Sequence, residues 1–347
     1  MTMQNQSCLR GTWKRVPIFL GFVFVLTSSP SFAASEVGGK PEKNEIIVGY
    51  PQPSGAFAPL WVAYEAGLFK KYGLMAQLQI LNPQVSVQAL VSGSADFTAA
   101  GVDLLSARLQ GARVKLIAVT LEKLVFQMWG VKEITDIQNL KGKTVALSSP
   151  RSVIEIATRE VLNRNGLTPE KDVKFLFAKT VNAILSMVLG GQATAGTLSA
   201  PTTLKARDAG LNLLADFGKL NIPGIGAAFG TTEKYLSDYP NTTYAFLKAT
   251  AEGMVLTRND PATAKRAIAK YTKIDDPRMV DEAFDFFAPH WAKSLAVRAE
   301  VIQAWFGYLD EKEFPQVKTA NPRESYNNSF VDNLEKAGFF EKIGWAR

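Results

Sequence analysis

Between residues 45 and 217 short, almost wholly apolar runs alternate with segments of helical period, and this alternation leaves few folds open to the chain. A strand that is apolar along its whole length has to be covered on both faces, and parallel strands need a crossover segment, normally a helix, to return the chain. The runs at 45–50, 76–81, 97–100 and 114–120, separated by helices that begin near Pro59 and span 85–91 and 104–110, predict one mainly parallel α/β sheet. The stretch 124–130 is extended with no helix after it and predicts a crossover into a second sheet. That sheet takes strands at 143–147, 173–177, 195–198 and 211–217 and helices at 153–163, 181–189 and 201–209, and the glycine-rich 225–230 carries the chain back.

From Thr232 onward the pattern turns helical, with helices predicted at 242–257, 261–270, 277–287, 298–310 and 329–337. Asp260-Pro261 and Asp276-Pro277 are start signals for two of them, because aspartate caps a first turn and proline fits inside it. Phe284, Phe287, Trp305, Phe306 and Tyr308 form stripes that read as core. An internal echo supports two lobes: Gly93 to Arg108 and, 98 residues later, Gly191 to Ala206 share one plan of glycine turn, strand, loop and helix, each after a helix.

Residues 1–33 read as a signal peptide rather than as part of the fold. Arg10, Lys14 and Arg15 precede an apolar run from Ile18 to Leu26, and Ser31-Phe32-Ala33 is a small-x-small cleavage signal. The run is far shorter than the roughly 20 residues a spanning helix needs. Residues 34–44 lack periodicity and are expected to form a flexible leader. The first 33 residues hold three basic and no acidic side chains, so their removal takes the formal charge from +7 to +4. That mild excess, with no clustered basic stripe, argues against nucleic acid as a partner. The single cysteine, Cys8, leaves with the signal, and His290 is the single histidine, so neither a disulfide nor a thiolate or His-rich metal site is expected. No cofactor is called for, and His290, in Ala-Pro-His-Trp, is assigned a packing or surface role.

In open parallel sheets ligands bind beyond the carboxyl ends of the strands, beside helix N-termini. The loops in that position are 52–57, 101–103, 148–152, 179–182 and 199–202, and from them come the candidate ligand contacts Gln52, Ser54, Gly55, Phe57, Gly101, Val102, Asp103, Ser148, Ser149, Arg151, Ser152, Thr180 and Ser199. Ser148-Ser149-Pro150-Arg151-Ser152 joins a strand to a helix, so free N–H groups, hydroxyls and a guanidinium suit an oxyanion there. Helix capping by one serine is the alternative use of the same residues. Phe57 offers an apolar wall, and Thr180 and Ser199 serve as either caps or contacts. Asp103 suits a ligand amine, although capping its own helix is the commoner role for a carboxylate in a first turn.

Catalytic signatures are missing. The chain has no Gly-x-Ser-x-Gly elbow, no P-loop and no His-Glu-x-x-His, and Gly224, Gly226 and Gly230 have the wrong spacing for a dinucleotide fingerprint. A periplasmic enzyme would have to rely on Glu122, Asp103 or the serines, so a binding protein rather than an enzyme is expected.

Several blocks, in order, resemble the nitrate/sulfonate/taurine-type, thiamine-precursor-like substrate-binding proteins of ABC transporters. They are Ile47-Val48-Gly49-Tyr50, Ala58 to Ala63, Glu65-Ala66-Gly67-Leu68-Phe69-Lys70-Lys71-Tyr72-Gly73-Leu74, Ala89 to Phe97, Leu140 to Ala146 and Gly166 to Val173. The resemblance implies a type II periplasmic-binding-protein fold, with lobe one at 45–128 plus 228–347 and lobe two at 129–227. It also implies a membrane permease and an ATPase as partners. A periplasmic monomer that captures a small organic or inorganic anion by hinge closure is expected. A receptor-linked sensor or an enzyme binding a pyrimidine-like heterocycle is the alternative on the same scaffold. Thr194 departs from the family habit of an acidic residue in the second glycine-turn motif. The cysteine-rich segment on which related pyrimidine-forming enzymes depend is absent.

Overall fold

In a computed structural model of the chain, which describes residues 37–345, ten strands form two five-stranded sheets. They are β1 (Glu45–Tyr50), β2 (Met75–Ile80), β3 (Phe97–Thr98), β4 (Val114–Lys123), β5 (Gln127–Gly130), β6 (Thr144–Leu147), β7 (Lys174–Phe177), β8 (Ala195–Leu198), β9 (Asn212–Asp216) and β10 (Pro223–Thr232). The first sheet has the order β2-β1-β3-β10-β4 and the second β7-β6-β8-β5-β9. In each, the first three strands of that order run parallel and the fourth is antiparallel to its neighbours. That fourth strand, β10 or β5, is the one that has just arrived from the other lobe, so each lobe completes its sheet with the crossover product of its partner.

The registers fix which edges meet. Lys123, the last residue of β4, pairs with Pro223, the first of β10, and Gln127, the first of β5, pairs with both Leu198 and Asp216 at the carboxyl ends of β8 and β9. Both crossovers, 124–126 and 217–222, therefore leave one sheet at its carboxyl edge and enter the other at its carboxyl edge. They are bonded to each other, Phe217 N–H to the Phe126 carbonyl at 3.0 Å and Leu124 N–H to the Ile222 carbonyl at 3.3 Å, which makes them one two-stranded hinge. The sheets exchange at these segments rather than at the expected 128/129 and 227/228 boundaries. Residues 127–128 extend a strand already begun by the crossover, and 223–227 do the same in reverse, so an extended sequence gives no sign of where one sheet takes over from the next.

The helical tail wraps the first lobe. Helix Pro240–Asn259 presses on the sheet through Phe246, which stacks on Phe97 at 4.0 Å between ring centres and meets Phe229 and Phe69. Phe284, Phe287, Trp305 and Phe306 are buried as the stripes require. Asp260 and Asp276 accept from Thr263 and Arg278 backbone N–H groups, so both proline-flanked starts are capped as expected. The two glycine turns of the internal echo are formed by Gly93 and Gly191 at φ of 77° and 73°, the left-handed region that glycine enters without steric cost.

The expected signal peptide lies outside the described residues. Residues 37–44, expected to be a flexible leader, are instead strapped to the fold. The Glu42 carboxylate accepts from the Asn241 and Thr242 N–H groups at the start of helix Pro240–Asn259, and Lys43 pairs with the buried Asp96 at 2.6 Å. Polar tethers of this kind leave no periodicity to read. Asp96 also accepts from the Ile47 N–H, and so ties the amino end of β1 to that of β3. Its counterpart Thr194 sits at the amino end of β8, where its N–H bonds to the Thr144 carbonyl. Both positions are on the edge away from the hinge, so the departure at Thr194 bears on sheet construction and not on the ligand loops.

Candidate functional site

The five loops predicted to carry ligand contacts lie at the carboxyl ends of β1, β3, β6, β7 and β8, the edges that the hinge brings into opposition. In lobe one, Ser54 caps a short 3-10 turn by accepting from the Ala56 N–H at 3.4 Å. Gly55 is buried where a side chain would strike the Ala283 carbonyl and the Phe287 ring, each 2.9 Å from its Cβ position, so helix Pro277–Phe287 seats on this loop. Phe57, expected as an apolar wall, is instead a core residue against Tyr50, because the turn it ends folds inward. Gln52 is exposed. Gly101 opens helix Gly101–Leu109 and rests on Ile225 and Ala228 of β10, leaving Val102 and Asp103 half-buried in the first turn.

In lobe two, the loops after β7 and β8 are joined by a Thr202 hydroxyl bonded to the Asn182 side-chain oxygen at 3.3 Å. Thr180 caps helix Val181–Leu189, Ser149 is exposed, and the half-buried Ser199 donates to the adjoining Ala200 carbonyl. The oxyanion seat expected at 148–152 is filled from within. Ser148 donates to Ser152, Ser152 caps helix Val153–Arg164, and the Arg151 N–H donates to the Glu155 carboxylate, which is buried and paired with Arg159. The chain's own carboxylate at i+4 takes the place an anion would occupy, a substitution favoured by the helix dipole.

Arg151 points elsewhere. It stands at φ 63°, and its guanidinium meets Glu313 of lobe one at 2.5 Å with most of the side chain in solvent. Arg151→Ala is therefore expected to change solute affinity by less than about 1 kcal/mol, as for an exposed ion pair, rather than by the 1.5–3 kcal/mol of a charged ligand contact. A tenfold or greater loss in a calorimetric titration would return Arg151 to the site. On the other flank Glu282 of helix Pro277–Phe287 accepts from the Thr203 hydroxyl at 2.7 Å and from both Arg207 Nη atoms at 3.0 and 3.2 Å, and Arg278 pairs with Asp208. The lobes are thus bridged on two flanks by contacts that sequence reasoning did not find; a helix predicted only as tail carries most of them.

Asp103 differs from every other shielded carboxylate. Asp96, Glu122, Glu155, Glu160, Asp172, Asp216, Glu233, Glu252, Asp260 and Glu282, the remaining non-exposed acids among the described residues, each have a side-chain hydrogen bond or ion pair. Asp103 has only its own N–H, and burial pushes its carboxyl up from the ordinary 3.8 to about 6. It does not cap its helix, whose N-cap is Ala100. His290 lies against Gly218 of the hinge, where burial lowers its pKa; it packs, as expected. No cluster of potential metal ligands occurs among the described residues.

Two mixed α/β sheets joined edge to edge by a paired hinge, with loops opposed across it, define the two-lobed periplasmic-binding-protein class. The chain belongs to the NMT1/THI5-like family, whose model matches residues 54–264, more than half of its length. None of the curated proteins matches the sequence at a significant level. Among solved structures it is similar to the periplasmic aliphatic sulphonate-binding protein SsuA of Escherichia coli, at 20% identity over 82% of this chain and 97% of that one, with a TM-score of 0.69. It is similar too to the periplasmic nitrate-binding protein NrtA of Synechocystis, at 16% identity over 88% and 91% with a TM-score of 0.68. A third is the alkanesulfonate-binding SsuA of Xanthomonas axonopodis bound to MOPS, at 20% over 84% and 97% with a TM-score of 0.61. At these identities the likeness is one of fold. No helix among the described residues is long and apolar enough to cross a membrane.

Proposed function

We propose that the protein is the extracytoplasmic solute-binding component of an ABC importer, a secreted monomer that closes its lobes over a small solute and presents the closed form to a membrane permease and its ATPase. The observation that carries this reading is the hinge: two short crossovers, bonded to each other, connect the sheets at their carboxyl edges, so the lobes can turn as bodies about one line while their ligand loops stay opposed. A solute touching both lobes favours closure by its differential affinity for the closed state. The similar structures include sulfonate- and nitrate-binding proteins, which supports a solute with acceptor oxygens facing the hydroxyls of Ser149, Thr180 and Ser199.

An enzymatic role has little support, since no base contacts a serine of the ligand loops among the described residues and His290 is turned to the hinge. The test is thermal unfolding of the chain from residue 34 with a panel of sulfonates, carboxylates, nitrate and pyrimidines. A solute at about 100 times its dissociation constant adds roughly 2.7 kcal/mol, a rise of several degrees. A hit recovered unchanged supports capture, conversion of the hit to a product favours the enzyme, and a flat response across the panel removes these solute classes.

A further inference from the structure

Three observations converge on the outer pole of lobe one. Residues 38–40 of the amino-terminal strap, Lys71 and Tyr72 at the end of helix Leu68–Lys71, and the first turns of helix Pro240–Asn259 enclose a cavity of about 300 Å³, at the small end of the range of ligand pockets. It lies where the chain enters β1 and β2, the amino edge of the sheet, whereas the hinge and the ligand loops occupy the carboxyl edge. Its lining is one-sided in charge: Lys40, Lys71 and Lys248 contribute ammonium groups, and none of the described lining residues is acidic. Lys248 is only 7% exposed, and its Nζ lies 5.7 Å from the ring centre of Tyr72, over which Lys71 Nζ also sits at 5.3 Å. Glu252, outside the lining, pairs with Lys71 and accepts from the Tyr72 hydroxyl, which fixes the position of both. Lys40 has no hydrogen bond or ion pair with any described residue, and Asn241 gives its side-chain oxygen to the Gly39 N–H at 2.8 Å, which leaves its amide nitrogen as a neutral donor in the same wall. A concave surface lined by charge of one sign gathers counter-ions, and ammonium groups grip oxyanions as point charges.

We propose that this cavity is a second binding site, apart from the ligand loops, for a small multivalent oxyanion of the phosphate class. Its donors come from three separate segments, so an anion with several oxygens meets them together, a monovalent halide meets them one at a time, and an uncharged solute gains nothing from them. The strap supplies both a wall and a cation, and an anion held between Lys40 and Lys248 ties residues 38–40 to helix Pro240–Asn259, beside the tethers already made by Glu42 and Lys43. The site stands at the edge away from the hinge, so it does not depend on the solute-binding reading and does not compete with it.

The test is calorimetric titration of the chain from residue 34 with pyrophosphate at low ionic strength, against sodium chloride at matched ionic strength, with hydrogen exchange to locate the bound anion. Pyrophosphate is expected to bind with a dissociation constant below about 1 mM and to slow exchange in the strap, and chloride to do neither. Lys40→Gln should weaken binding by about threefold to tenfold and Lys40→Glu by more, as for one exposed cation among several donors. Lys40 is exposed and without a described partner, so both variants keep the fold, and Lys143→Gln, at an exposed lysine of lobe two, should leave binding unchanged. Vesicles of phosphatidylglycerol against phosphatidylcholine separate the two sources of the phosphate: retention on the anionic vesicles that Lys40→Glu removes assigns it to a lipid headgroup, and pyrophosphate binding without retention assigns it to a free anion. Pyrophosphate binding that survives Lys40→Glu or that chloride reproduces overturns the inference, as does binding to neither pyrophosphate nor anionic vesicles.

Discussion

Asp103→Asn is expected to raise the stability of the solute-free protein by about 1–2 kcal/mol at neutral pH and by almost nothing at pH 4, an increase visible as a few degrees in the thermal midpoint. The sign follows from linkage. The unfolded chain holds this carboxyl near 3.8 and the folded chain near 6, so folding takes up a proton between those values and stability falls as pH rises through that window. Asparagine has the same shape and no charge to shield, so its advantage opens over the same window. Midpoints of wild type and variant that stay parallel from pH 4 to pH 7.5 would show that Asp103 is fully solvated.

Glu282→Ala should weaken capture of any solute held by both lobes by about 5- to 30-fold, the equivalent of about 1–2 kcal/mol removed from the closed state. Glu282 is mostly shielded, with 13% of its side chain exposed, and it holds the Thr203 hydroxyl and the Arg207 fork at once, whereas Arg278–Asp208 and Arg151–Glu313 are largely solvated. The shielded bridge is therefore the one whose loss opens the lobes. Small-angle scattering of the solute-free variant should show a larger radius of gyration than wild type, and Arg207→Ala combined with it should add less than its separate effect. An unchanged radius together with unchanged affinity would mean that Glu282 does not hold the closed form.

Much of this fold is legible in the sequence. Each predicted strand is present within a few residues, since an apolar run bounded by turns has few other uses, and residues 124–130 were read as the crossover because no helix follows them. The five candidate loops follow the carboxyl ends of β1, β3, β6, β7 and β8, positions that the run boundaries mark in the sequence. Their chemistry was not, because hydroxyls and cations at a strand end look alike whether they face a ligand or each other. Arg151 is the clearest case: its neighbours in sequence suggested an anion seat, while its partner Glu313 lies 162 residues away. Phe57 adjoins a loop and so suggests a wall, and only the inward fold of a three-residue turn makes it core.

The sequence by itself determined the alternation of strands and helices, the shared plan of the two sheets and the first passage between them, because periodicity, turn residues and capping act over a few positions; the return passage, expected at 225–230, lies instead at 217–222, and 225–230 is part of β10. Only the tertiary structure decided which charges meet. The Glu42 tether reaches across about 200 residues and the Glu282 bridge across 75, and Asp103 is left alone because the helix and strands packed around it bring no free cation. Partnering between distant side chains depends on where packing puts them, which no local pattern encodes.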